Sequence, residues 1–209
     1  MSIQTPTLPT ITGPAMLDQA FDEIATKLLT ELSWLSNAYG DTQKLEEVYE
    51  GRKRTYPAIR SGQQEFLKLM PDSHLGNFSF CQALSGDVVE WNKKLVPWVT
   101  TEFSVVFWFD FRDIFPGTDT NKTLNNVKDL ILTAFRTMSL SKSIMEIDKI
   151  YDVMVDVYDE YTFVYSDPDW IGTERIAMES GNLFYLRPYG CLRFEGTVRY
   201  LQNDGAYTC

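Results

Sequence analysis

The sequence predicts an α+β fold: a largely antiparallel sheet with two amphipathic helices packed on one face. Two observations carry this. Two stretches, Pro14–Leu35 and Leu124–Met138, repeat apolar residues at helical spacing, and between and after them lie short runs with strand texture. The turns joining the strands are short, which suits antiparallel neighbours. With 44% hydrophobic residues in 209, the chain can bury one substantial core.

Residues Leu17, Phe21, Ile24, Leu28, Leu32 and Leu35 recur at three and four, so the first helix is expected from Pro14 to Leu35. Pro14 suits a first turn, and Asp18, Asp22 and Glu23 sit on the favourable side of the macrodipole. Asn37 and Gly40 are read as its end. The segment Tyr56-Pro57-Ala58-Ile59-Arg60 is extended, and Pro57 argues for an edge strand or a strand start. "FLKLMP" and "FSFCQAL" follow as strands, whereas "VVEWNKK" is ambiguous.

The most informative stretch is "TEFSVVFWFDFRD", Thr101 to Asp113. Phe103, Val105, Phe107, Phe109 and Phe111 point one way, and the other face carries Val106 and Trp108 among polar residues. One apolar face must meet the helices. The second face, with Tyr56 and Ile59 on the extended segment, forms an apolar patch of the kind that marks a protein interface. The alternative is that the chain covers it with its own "DWIGTERIAM".

Leu124, Val127, Ile131, Phe135 and Met138 predict the second helix, capped by Thr123 or Asn121. "IMEIDKIYDVMVDVYDEY" fits helix and strand alike, with β-branched content favouring strand from Tyr151 onward. In the closing run "PYGCLRFEGTVRYL", Leu192, Phe194, Val198 and Tyr200 share a face, and Gly196 on that face implies a bulge or a close backbone approach. The organisation expected is an arm over 1–13, one domain over 14–202 with an insertion at 166–182, and a tail over 203–209.

Catalytic motifs are weak. The single histidine, His74, lies in a turn without a nucleophile elbow. "DPDWIGTE" resembles the start of a calcium loop, but Ile171 and Met178 stand where an EF-hand needs ligands. No phosphate-binding glycine pattern is present, so no cofactor and no metal are expected. Cys81, Cys191 and Cys209 show no metal or redox spacing and are read as reduced thiols, and the sequons at Asn77 and Asn121 as chance matches. The N-terminus has neither a basic start nor an apolar core, so no secretion signal is expected, and no apolar run is long enough to cross a membrane. The acidic run Glu146, Asp148, Asp152, Asp156, Asp159 and Glu160 is a solvated face, an acidic pore lining, or a source of hydrolytic carboxylate pairs. As a strand, it would put Asp148, Asp152 and Asp156 on one face. The net charge of −10 disfavours independent nucleic-acid binding; composition favours reading it as a soluble acidic surface, and it also fits a surface past which DNA slides.

An N-terminal amphipathic helix, a "YPAIR" segment, the aromatic strand "FSVVFWFDF", a second amphipathic helix and a closing "PYGCLRFEGTVRY" strand resemble the tail-terminator and head–tail connector proteins of tailed bacteriophages. More narrowly, they are similar to ring or neck proteins of crAss-like phages. The resemblance covers about Ala15 to Tyr200 and lies in element order and strand texture. It implies a non-enzymatic virion protein that forms a homo-oligomeric ring between portal or capsid and tail. DNA would pass through without specific binding. Tyr56, Ile59, Val106 and Trp108 would then dock on a neighbouring subunit or ring. Asp148, Asp152, Asp156, Asp159 and Glu160 would be candidates for an acidic lumen. The competing readings are a carboxylate-based hydrolase and a monomeric protein-binding module.

Overall fold

The computed structural model describes residues 8, 15–49, 52–62, 65–69, 75–91, 97–152, 177–179, 182–184 and 189–202. They form the predicted α+β fold. In chain order, the elements are α1 (Met16–Glu31), β1 (Asn37–Asp41), β2 (Gln43–Tyr49), β3 (Arg52–Arg60), β4 (Phe66–Lys68), β5 (Phe78–Ala83), β6 (Val88–Trp91) and β7 (Pro97–Asp110). Then come α2 (Phe111–Ile114), a 3-10 turn at Asp119–Asn121, α3 (Leu124–Thr137), β8 (Ser143–Tyr151), β9 (Ala177–Glu179), β10 (Asn182–Phe184) and β11 (Tyr189–Leu201). The main sheet has the order β1-β5-β7-β11-β8, with β6 beside β7. Strands β2-β3-β4 make a second, smaller sheet, and β9 and β10 pair with each other. No described helix is long and apolar enough to cross a membrane.

The centre is β7 against β11, antiparallel over Trp98–Asp110 and Tyr189–Leu201. Alternation puts Phe103, Val105, Phe107, Phe109, Leu192, Phe194 and Val198 on the helix side, where they meet Phe21, Ile24 and Leu28 of α1 and Val127, Ile131 and Phe135 of α3. The rings interlock: Phe107 lies 5.7 Å from Phe194 and 6.2 Å from Phe135, both edge-on. Helix α3 starts as expected at Thr123, whose N–H donates to Asn126 Oδ1 at 2.9 Å.

Helix α1 stops at Glu31, short of the predicted Leu35. Leu32 and Leu35 still reach the core, from the connection into β1. The residues Asn37–Asp41, read as a helix end, instead form a strand parallel to β5, the one parallel pair in the described main sheet. Buried Asn77 holds this junction. Its Nδ2 donates to Trp34 O at 3.0 Å, its Oδ1 accepts from Asp110 N–H at 2.7 Å, and its carbonyl accepts from Ser36 N–H at 2.8 Å. The Asp22 side chain fits closely over Gly40: a Cβ there would lie 2.3 Å from Asp22 Oδ1, and that carboxylate would have to turn away. That close approach also crowds carboxyls.

Loss of hydration pushes the Asp41 carboxyl up to about 6, and Asp18 and then Asp22 add to the shift against bonds from the Ala83 and Thr42 N–H groups. A raised carboxyl pKa means stability is fullest below the unfolded value near 4 and is lost as pH rises through 6. Asp41→Asn is therefore expected to stabilise the protein near pH 7 and to have little effect near pH 4. Because part of the residue still meets solvent, the gain is discounted for screening to about 1 kcal/mol. Urea unfolding at the two pH values checks it; equal gains at both would contradict the assignment.

The second face of the sheet is half covered by the chain itself. Val106, Trp108, Phe78, Phe80, Cys191 and Tyr39 pack against Tyr56, Leu69 and Leu75, with Ile59 and Leu67 partly buried beside them. This corrects the docking-face reading. Tyr56, Val106 and Trp108 are 4%, 1% and 4% exposed, so with Ile59 they form a second core inside the subunit. The cover is the β2-β3-β4 sheet; of "DWIGTERIAM", only Ala177 and Met178 lie within the described residues. Strand β3 is also the middle strand of its sheet rather than an edge. Pro57 is tolerated there because its carbonyl accepts from Leu69 N–H, just past the last β4 pair, Ala58 with Lys68. Its ring nitrogen thus points where the ladder has ended. Leu8 of the predicted arm packs on this second core too.

Candidate functional site

Among the described residues, the β2-β3-β4 sheet leaves the other half of the second face uncovered. Its frame is the four-strand end β6-β7-β11-β8. One row across it runs Val88, Thr100, Arg199, Ile144; the next runs Glu90, Trp98, Leu201. Side chains of a row share a face. Val88 is 61% exposed, Ile144 56% and Leu201 38%. Arg199 lies over them: its guanidinium sits 4.8 Å from the Trp98 ring centroid, and Nη2 meets Glu90 Oε2 at 2.6 Å. On the opposite face of β6, Val89 is 46% exposed and Trp91 72%. A strand with all four residues exposed and three of them large and apolar is an unusual surface for a folded chain.

Further along the open half lies a small cleft lined by Leu84, Glu102, Asp148, Lys149, Glu195, Gly196 and Thr197. It is built by a bulge. Glu195 pairs with Lys149 and Gly196 with Ile147, so Asp148 is the extra residue. The sequence pointed to this at Gly196, and the reason is now visible: a Cβ there would sit 1.8 Å from the Glu146 carbonyl oxygen. Arg193 Nη2 meets Glu195 Oε1 at 2.5 Å nearby, with both side chains largely buried.

The bulge also corrects the acidic-face reading. Before it, Met145 and Ile147 pack toward the helices; after it, Ile150 does. The parity switch separates the aspartates. Asp148 lines the cleft on the open face, whereas Asp152 meets Lys128 Nζ of α3 on the helix side. Asp148 and Asp152 therefore neither share a face nor form a carboxylate pair. Asp156, Asp159 and Glu160 lie outside the described residues, as do His74 and Asp167–Glu174. The described strand in this run is Ser143–Tyr151, paired with β11, whereas the strand expected from Tyr151 onward lies, past Asp152, outside the described residues.

The described residues include no cluster of three or more His, Cys, Asp or Glu placed to hold a metal. Cys81 and Cys191 are buried thiols whose pKa burial raises. What the sequence reading missed is the ambiguous "VVEW": its alternation was too short to assign, and it becomes a strand only because Pro97–Thr100 offers it an edge. No protein-family model matches the chain, and no curated protein matches it.

Proposed function

We propose that the chain is a structural subunit that assembles with copies of itself into a closed ring at the neck of a tailed phage, joining portal or capsid to tail. The observation that carries this is the exposed apolar strand β6, with Val88, Val89 and Trp91 in solvent beside Ile144 and Leu201 of the same sheet end. Leaving such a surface wet is unfavourable by roughly 25 cal/mol per Å² of apolar area, so burial against a neighbour is favoured. The docking surface lies ten residues along β7 from where the sequence put it: at Trp98 rather than Trp108. A ring with net charge −10 per subunit repels phosphates and lets DNA move. Exposed Glu102, Glu146 and Asp148 on the open half are its lumen candidates, while Asp152 is tied to Lys128.

Light scattering of the purified chain, followed by negative-stain imaging, tests the reading. A closed ring with a central hole is expected, formed alone or on purified portal. Trp91→Asp should leave the subunit folded, since that ring is in solvent, and should lower the assembled fraction at least tenfold. A monomer that assembles neither alone nor on portal sinks the reading.

A further inference from the structure

We infer that the ring closes by antiparallel pairing of β6 of one copy with β8 of the next, in the register that sets Val88 beside Ile144 and Val89 beside Ser143. This rests on the ring reading above and names the contact that makes it.

The argument begins with strand direction. Across this end of the sheet, β6, β7, β11 and β8 alternate, each antiparallel to its neighbour. Four alternating strands leave the two outer ones running oppositely. A second copy placed by rotation, facing the same way, therefore brings its β6 antiparallel to the first copy's β8. The main-chain ladder can then continue between subunits.

Backbone polarity agrees. The Glu102 carbonyl accepts from Leu84 N–H at 2.9 Å, so even-numbered residues of β7 bond toward β5 and β6. The Pro97 carbonyl accepts from Gln202 N–H at 3.1 Å, so odd-numbered ones bond toward β11. Following the registers outward, Val88 bonds inward to Thr100 and Ile144 inward to Arg199. The groups left for the open edges belong to Val89 and Trp91 on β6 and to Ser143 and Met145 on β8. Among the described residues, each of these strands is paired on one side only.

Side chains then select the register. Closure alone leaves the register open, because strands in a closed sheet tilt and stagger; level pairing is the case in which a row of one subunit meets the same row of the next. Val88 and Ile144 already share a row through Thr100 and Arg199. Level pairing makes them opposite neighbours, both apolar and both more than half exposed in the subunit. One residue along, Val89 falls opposite Ser143 as the hydrogen-bonded pair, while Glu90 keeps its contact with Arg199 and Lys142 its contact with Gln19 of α1. Slipping by two residues sets Val88 against Glu146 in one direction and against Lys142 in the other. Of these, the level register alone sets two apolar side chains opposite each other.

Disulfide capture tests it. In a Cys209→Ser background, Val88→Cys and Ile144→Cys are combined in one chain. Cys81 and Cys191 are buried and stay out of the reaction. Opposite residues of a non-hydrogen-bonded pair are about 4.5 Å apart at Cα, within disulfide reach. Oxidation should yield a ladder of covalent multimers ending at the ring, and neither single variant should form one. Val88→Cys combined with Glu146→Cys, which reports the slipped register, should yield no ladder. Covalent dimers from Val88→Cys alone would mean two-fold β6–β6 pairing and overturn the inference. Rings that form without a ladder would also overturn it and leave the ring reading standing. A chain that neither cross-links nor assembles on portal would remove both.

Discussion

Gly196→Ala is expected to lower the unfolding free energy by about 3 kcal/mol or more. The single added carbon would lie 1.8 Å from the Glu146 carbonyl oxygen and 2.8 Å from its carbonyl carbon. Both are backbone atoms of the neighbouring strand, so no rotamer change relieves the clash. β8 would have to separate from β11 where Asp148 bulges out. Separation there also pulls Met145 and Ile147 off the helix-side core. Urea denaturation monitored by circular dichroism measures the effect. Gly86→Ala is the control, because a Cβ there meets nothing within 4 Å, and it should stay within about 0.5 kcal/mol of the parent. Equal midpoints for the two variants would show that the close approach at Gly196 is not what holds the bulge.

Trp108→Asp is the second large effect, and it separates the two readings of the aromatic strand. Trp108 is 4% exposed, pairs with Phe78 on one side and Cys191 on the other, and stacks on Tyr189 with ring centroids 6.1 Å apart. A carboxylate placed there is buried among apolar groups. Together with the lost ring, the expected cost is on the order of 5 kcal/mol, comparable with the whole stability of many domains. The variant should be recovered unfolded or insoluble, while Trp108→Phe should fold with a lowered midpoint. A soluble, cooperatively folding Trp108→Asp chain that fails only in assembly would restore Trp108 to a docking role. The contrast with Trp91→Asp is instructive: the same chemical change, 17 residues earlier in sequence, is made in solvent.

Much of the fold was legible because periodicity reports directly on burial. The stripe from Leu17 to Leu28 and that from Leu124 to Phe135 each mark one buried side of a helix. The alternation from Phe103 to Phe109 and from Leu192 to Val198 marks the sheet face those helices cover. Gly196 was legible for a related reason: a residue without a side chain on an apolar face implies that something else occupies the space. These are local properties of the chain, and local spacing determined them.

Three matters were decided only by tertiary structure. What covers the second face of β7 depends on where β2, β3 and β4 land, and their polar, proline-interrupted sequence gives no sign that they lie over Val106 and Trp108. Whether Asp148 and Asp152 share a face depends on a bulge. A bulge shifts the two-residue period by one, so counting along the sequence fails beyond it. Whether "VVEW" and "NAYGD" are strands depends on partners distant in sequence: four or five residues carry too little pattern of their own, and β7 and β5 supply the ladders that fix them. The sequence by itself thus determined which residues must leave water. Long-range pairing decided which apolar surface was covered from within and which, at β6 and the start of β8, stays exposed among the described residues.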